Sequence, residues 1–228
     1  MFRRRKDGEP VEGDAAHLDA IDPDADGDGA GADVGPAMPL EGGPRDAADV
    51  DLAAAAPLVD FGALLVPGID GMEVRVDADE AGNLIAVTVV IEESAVQMSA
   101  FAAPRSGGIW DDIRAEIAAA VVESGGTARD ESGRFGAELV ADVPVTLPDG
   151  ATSTEPMRFV GADGPRWFVR GLISGRAATD RSAALAIEDV FAGVLVNRGD
   201  HAAPPREPLV LTLPAEAQIP DDGTPGAG

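Results

Sequence analysis

Cysteine and tyrosine are both absent from this chain of 228 residues. Without a thiol the chain has no disulfide, no thiolate nucleophile, no iron–sulfur cluster and no cysteine zinc site. Lys6 is the only lysine, which excludes a Walker-type phosphate loop and a Schiff-base lysine in a pocket. His17 and His201 lie in polar segments, where a catalytic triad or a multi-histidine metal site is not expected. The sequence therefore predicts no catalytic residue and no cofactor, and an enzymatic role is disfavoured.

Basic charge is scarce. The chain has 17 Lys and Arg against 41 Asp and Glu, a formal net charge of −24. Such a field repels nucleic-acid phosphates and anionic lipid, so nucleic-acid binding is not expected. The sequence has no apolar run long enough to cross a bilayer, so a membrane span is not predicted. The basic start at Phe2–Lys6 is followed by Asp7-Gly8-Glu9-Pro10 rather than by an apolar stretch, so a secretory signal is not predicted and a cytoplasmic location is expected.

Composition divides the chain into three parts. Residues 1–57 form an acidic leader rich in Asp, Gly, Ala and Pro, and residues 215–228 form a similar tail. Neither part has enough apolar residues to offset chain entropy, so both are predicted to be disordered. Residues 58–214 have clear apolar patterning and a length typical of one domain. A single α/β domain is expected there.

Apolar periodicity predicts the elements of this domain. Two helices are indicated, one following Ser106 and ending at Gly125-Gly126, and one capped by Thr179 or Asp180. The strands, joined by short turns, favour an antiparallel arrangement. We therefore predict an α+β two-layer sandwich, in which a mostly antiparallel sheet of about six to seven strands carries two amphipathic helices on one face. The predicted strands are 72–77, 84–91, 95–102, 135–145, 157–160, 166–174 and, at an edge, 209–213.

Several segments of this domain are similar in sequence to those of a known family. They are Pro67-Gly68-Ile69-Asp70-Gly71-Met72-Glu73-Val74-Arg75, Ala100–Ser106, Ile109–Ile117 and Gly164-Pro165-Arg166-Trp167-Phe168-Val169-Arg170-Gly171. On these residues the chain resembles an actinobacterial family described only as a domain of unknown function (number 3710). The resemblance covers roughly residues 58–214 and implies no activity, since none is assigned to that family.

An acidic segment in the leader has the spacing of a calcium loop. Oxygen ligands at alternate positions with a glycine at the sharp turn are what Ca²⁺ requires. However, the twelfth position is the shorter aspartate, and no helices flank the segment, so a solvated acidic linker is the alternative. The candidate ligands are Asp22, Asp24, Asp26, Asp28 and Asp33.

A second candidate site consists of arginines around the most aromatic strand. If the helices cover the Trp167 face of strand 166–174, Arg166 and Arg170 project from an open face beside Phe168. Arginine forks there can hold a carboxylate or phosphate. The alternative is pairing with nearby acids across strands. The full candidate set is Arg105, Arg158, Arg166, Phe168, Arg170 and Arg176.

Two functions follow as hypotheses. One is a non-enzymatic protein-interaction or adaptor module with an unidentified protein partner. The other is a binder of a small anionic or nucleotide-like ligand, which uses the arginines of the sheet face. A variant of this hypothesis is a weak hydrolase that acts on such a ligand. The sequence does not determine the oligomeric state.

Overall fold

The computed structural model describes residues 2–4, 42–53, 55, 57–105, 108–147, 149–199 and 203–214. Twelve strands and three α-helices are found in these residues, together with a short 3-10 helix at Ala47–Asp49. In chain order, the strands are β1 (Phe2–Arg4), β2 (Arg45–Asp46), β3 (Leu58–Asp60), β4 (Leu64–Pro67), β5 (Glu73–Ala78), β6 (Leu84–Ile91), β7 (Ser94–Ala102), β8 (Thr127–Gly133), β9 (Gly136–Thr146), β10 (Thr152–Gly164), β11 (Trp167–Gly175) and β12 (Leu195–Val196). The helices are α1 (Trp110–Glu123), α2 (Arg176–Thr179) and α3 (Arg181–Ala192).

The main sheet has eight strands in the order β1-β5-β6-β7-β11-β10-β9-β8. Every neighbouring pair from β5 to β8 is antiparallel, and β1 joins β5 in parallel. Short turns produce this arrangement, as where Asp79 accepts the Asn83 N–H at 2.8 Å between β5 and β6. The prediction of a mixed α+β fold with a mostly antiparallel sheet is confirmed.

The predicted placement of both helices on one face is wrong, because the helices cover opposite faces. On β11, Val169 and Ile173 belong to the core formed with α3, whereas Phe168 packs with α1 in a second core. The rings of Phe168 and Trp110 are stacked with centroids 5.8 Å apart. Successive strand residues point to opposite faces. A strand apolar on both faces is therefore buried on both, which the sequence-based reasoning overlooked.

Aspartate side chains accept backbone N–H groups at the starts of α1 and α3. Asp163 of β10 accepts the Ile109 N–H at the start of α1 at 3.2 Å. Burial raises the pKa of Asp163, against the opposing effect of this backbone bond. Asp180 caps α3 by accepting the Ser182 N–H at 2.9 Å. One of the two predicted cap residues is thus the cap.

A second, four-stranded sheet has the order β2-β12-β4-β3. It includes β2, which precedes residue 58, the predicted start of the domain. Trp167 links the two sheets, because its indole Nε1–H donates to Asp46 at 3.0 Å. The predicted edge strand at 209–213 contributes only isolated bridges, among them Leu211 with Leu84. Strand β8 was not predicted, since its charged residues hide the alternation.

Helix α1 lies so close to the sheet that β10 needs a glycine beneath it. A Cβ added at Gly161 would overlap the Trp110 ring. Overpacking of this kind typically costs about 1–3 kcal/mol. We expect Gly161→Ala to lower the free energy of unfolding by that amount in chemical denaturation. Thr154→Ala, at an exposed position of the same strand, should change it little; equal effects would contradict the packing of α1 on this face.

Candidate functional site

Arg158, one of the predicted site residues, lies in the core. Its side chain is 1% exposed, and its Nη2 donates to Glu138 at 2.8 Å and to Glu188 of α3 at 2.7 Å. Its Nη1 donates to the Ala177 carbonyl at 3.2 Å. Arg181 pairs with the other oxygen of Glu138 at 2.5 Å. Buried ion pairs of this kind are held by their geometry, and removing one partner leaves an uncompensated charge. The network therefore fastens α2 and α3 to the sheet.

The electrostatics of Glu138 follow from this network. Burial raises the pKa of the carboxyl, but hydrogen bonds from Arg158 and Arg181 outweigh burial and hold the pKa below its ordinary value. The alternative that the sequence left open, pairing of the arginines with acids across strands, thus describes Arg158.

Other members of the predicted set are also paired with an acid or buried. Arg176 follows β11 and pairs with Asp180 at 3.0 Å, four residues on. Arg170 is 2% exposed, and its guanidinium lies 5.9 Å from the centroid of the Phe101 ring. Phe168 is fully buried against α1. The open sheet face that the hypothesis required does not exist at these residues, because α1 covers it.

Arg166 occupies the β10–β11 turn rather than the strand. Its φ is +69°, a left-handed conformation in which a non-glycine residue pays about 1–2 kcal/mol. The turn is held in place from two sides. The Arg166 carbonyl accepts the Ala103 N–H at 3.0 Å and the Arg198 Nε–H at 3.0 Å. The second of these bonds also orients the Arg198 guanidinium.

Apart from the buried Arg170, the arginines whose side chains are described fall into two groups by ion pairing. Eight of them pair with a carboxylate: Arg75, Arg114, Arg129, Arg134, Arg158, Arg176, Arg181 and Arg206. Four make no ion pair with any described residue, and we name these the arginine pole: Arg45, Arg105, Arg166 and Arg198.

All four residues of the arginine pole are connected to the surroundings of Trp167. Arg166 precedes it, and Arg198 donates to the Arg166 carbonyl. Arg105 lies two residues beyond Ala103, which donates to the same carbonyl. Arg45 precedes Asp46, the acceptor of the Trp167 indole N–H. The fold therefore brings four arginine-bearing segments to one end of the main sheet, and two of these arginines, Arg105 and Arg166, belong to the predicted set.

Among the nearby acids, Glu116 of α1 pairs with Arg206 at 2.7 Å. Asp46 accepts from the neutral Trp167 indole and keeps its charge. Glu207 accepts the Ala102 N–H through its backbone carbonyl, so four guanidinium groups lie near these two carboxylates. Although the chain has a net charge of −24, charges beyond a Debye length of about 8 Å are largely screened at physiological salt. Local charge thus favours an anion at the arginine pole despite the acidic chain.

The predicted calcium loop at Asp22–Asp33 lies outside the described residues, as do the rest of residues 5–41 and the predicted tail at 215–228. Within the part of the chain that the structure describes, no group of three or more His, Asp or Glu side chains is arranged to hold a metal ion. None of the helices in that part is long and apolar enough to cross a lipid bilayer.

Fold and arginine cluster together define an α+β domain that carries arginines without a described ion pair at one end of its main sheet. A family described as "Protein of unknown function (DUF3710)" matches residues 43–219. The chain belongs to this family, which confirms the resemblance found in its sequence. Neither a curated protein nor a solved structure is significantly similar to the chain.

Sequence reasoning did not find Arg45 and Arg198, which complete the arginine pole. Arg45 lies in β2 and Arg198 lies just after β12, and each of these strands is only two residues long. One usable signal was Gly164-Pro165-Arg166, because proline favours the second position of a tight turn and so places Arg166 within the turn rather than in the strand.

The buried carboxylate predicts a pH dependence. Since the folded-state pKa of Glu138 is lowered, its contribution to stability is present above the ordinary value of 4.5 and is lost as the pH falls through the lower folded-state pKa. We expect Glu138→Gln to cost about 3 kcal/mol of unfolding free energy at neutral pH, with a difference from wild type that shrinks in acid. Denaturant unfolding across pH measures this. Glu155→Gln, on the exposed start of β10, is the control; a difference independent of pH would contradict the assignment.

The turn conformation of Arg166 gives a second prediction. Alanine retains the left-handed strain, whereas glycine adopts this conformation freely. Arg166→Gly should therefore be about 1 kcal/mol more stable than Arg166→Ala. Thermal and chemical unfolding of the two variants compare them directly. Equal stability would show that the turn is not strained at this residue.

Proposed function

We propose that this protein is a non-enzymatic binding module that recognises a phosphate or carboxylate group at the arginine pole. The observation that carries the proposal is the segregation of charge. Eight arginines of the described chain pair with acids. Arg105, Arg166 and Arg198 lie on segments that meet at the Arg166 carbonyl, and they have no described carboxylate partner. Guanidinium groups bind planar and tetrahedral oxyanions through paired hydrogen bonds.

The local backbone supports the same proposal. Residues held in sparsely populated conformations cluster at ligand-binding sites, where the surrounding structure maintains the strain. Arg166 has this property, and Arg206, beside it across β7, has φ +70°. Arg206 donates its N–H to the Ala102 carbonyl at 2.8 Å, and its guanidinium is held by Glu116. We assign Arg206 a supporting role, and Arg198, oriented through its Nε, a direct one.

The anion can be free or displayed on a protein partner, which joins the two hypotheses that the sequence allows. In the expected cytoplasmic location, both small metabolites and proteins carry such groups. A protein-interaction module and an anion binder would then use one surface, and they differ in what presents the anion.

Thermal unfolding of the full chain with inorganic pyrophosphate tests the free-anion form. A ligand at about 100 times its dissociation constant adds about 2.7 kcal/mol to native-state stability, which raises the Tm by several degrees. We expect this rise in the wild type and its loss in Arg105→Gln/Arg166→Gln. The matched control, Arg75→Gln/Arg176→Gln, removes the same charge from arginines that pair with acids elsewhere and should retain the rise.

A pool of phosphoserine peptides and its unphosphorylated equivalent test the displayed form by fluorescence anisotropy. Phosphate-dependent binding that is lost in Arg105→Gln/Arg166→Gln, without a response to pyrophosphate, would assign the anion to a protein partner. If neither probe binds, or if both double variants respond alike, the arginine pole is not a binding site.

A further inference from the structure

Strand β8 forms one edge of the main sheet, and its outer side pairs with no described strand. The strand is seven residues long. Its central side chains are accessible, with Arg129 61% and Asp130 66% exposed. An exposed strand edge of this length is a template for pairing with another strand. This surface is independent of the arginine pole.

The backbone groups available at this edge follow from the ladder. The Leu147 N–H donates to the Ala151 carbonyl at the turn between β9 and β10. Because bonds alternate along an antiparallel strand, the odd-numbered residues of β9 bond to β10 and the even-numbered ones to β8. Val140 thus exchanges bonds with Arg129, its partner in register. The N–H and C=O groups that point outward from β8 therefore belong to Ala128, Asp130 and Ser132.

The charge pattern of this edge is complementary to itself. If two β8 strands pair antiparallel about a two-fold axis at Asp130, Arg129 of each copy lies opposite Glu131 of the other. This register also places the two Asp130 residues opposite each other, and each of them accepts from the Arg114 Nε of its own chain at 2.9 Å. Arg129 and Glu131 pair within each chain at 2.8 Å, so the cross-copy contacts would extend two existing ion pairs into one network. An axis at Arg129 or at Glu131 places like charges opposite each other without bringing any opposite charges face to face.

We infer that β8 is a homodimer interface, in which two copies of this chain join their sheets edge to edge with the two-fold axis at Asp130. The occupant is a second copy because Arg129 and Glu131 each face an opposite charge in that register. A two-fold interface of this kind uses one patch on both subunits. Arg181 of α3, which also contacts Glu131 at 3.1 Å, lies on the same face of the sheet as the proposed cross-copy pairs.

The absence of cysteine from the chain makes a direct crosslinking test possible. In the proposed register the two Asp130 Cα atoms are about 5.5 Å apart. Those of Thr127 are offset by six residues, roughly 20 Å along the strand. We expect a short bismaleimide crosslinker to join full-length Asp130→Cys into covalent dimers. Thr127→Cys, on the same strand, should stay uncrosslinked. Crosslinking of both variants alike, or of neither, would overturn the register.

Charge exchange tests the same interface without cysteine. Arg129→Glu should weaken the dimer by roughly tenfold in sedimentation equilibrium, because it places acids opposite each other at two symmetric positions. The exchange Arg129→Glu/Glu131→Arg restores opposite charges across the axis and should restore the dimer.

A second variant tests the backbone bonds of the same interface. Ser132→Pro removes an outward N–H and should also weaken the dimer, whereas Ser132→Ala should not. A monomeric wild type at all concentrations, with folded variants that behave identically, would overturn the proposal.

Discussion

The central strands of the main sheet must be covered on both faces, and the rest of the structure depends on this constraint. In β11, Trp167 and Val169 alternate with Phe168, so each face presents large apolar groups that need a cover. Helix α1 covers one face and α3 the other. Burying such side chains is the dominant favourable contribution to folding, roughly 25 cal/mol for each Å² of apolar area. A sheet with one open face would leave half of these side chains exposed and would lose that stabilisation.

This constraint determines where charge can lie. Arg158 points into the core on the α3 side, and it is tolerated there because Glu138 and Glu188 compensate its charge. Arg170 is buried beside the Phe101 ring on the other face. With both faces covered, cations meet solvent at the ends and edges of the sheet. The arginine pole lies at such an end and the charged strand β8 at such an edge, and these surfaces carry the two proposals.

Local patterns predicted the fold well and its long-range arrangement less well. Alternation in β5, β6 and β7 and the four-residue repeat of α1 were readable, because periodicity is a local property. The side on which each helix packs is not local. The prediction that Arg166 lies on an open sheet face assumed that its side chain follows the alternation of the strand. Arg166 lies in a turn and has a positive φ, so that alternation does not apply to it. Arg45 and Arg198 are brought to Trp167 only by the second sheet, whose two-residue strands leave no periodic signal.

The central claim is that the arginine pole binds an anion, and an NMR titration with inorganic pyrophosphate tests it most directly. The Trp167 indole N–H and the Nε–H of Arg198 are reporters within the site, and the Trp110 indole N–H, bonded to the Ala137 carbonyl at 2.7 Å, is an internal reference. We predict saturable shifts of the Trp167 and Arg198 signals with the Trp110 signal unchanged. Unchanged signals at Trp167 and Arg198, or shifts equal to that of Trp110, would contradict the account.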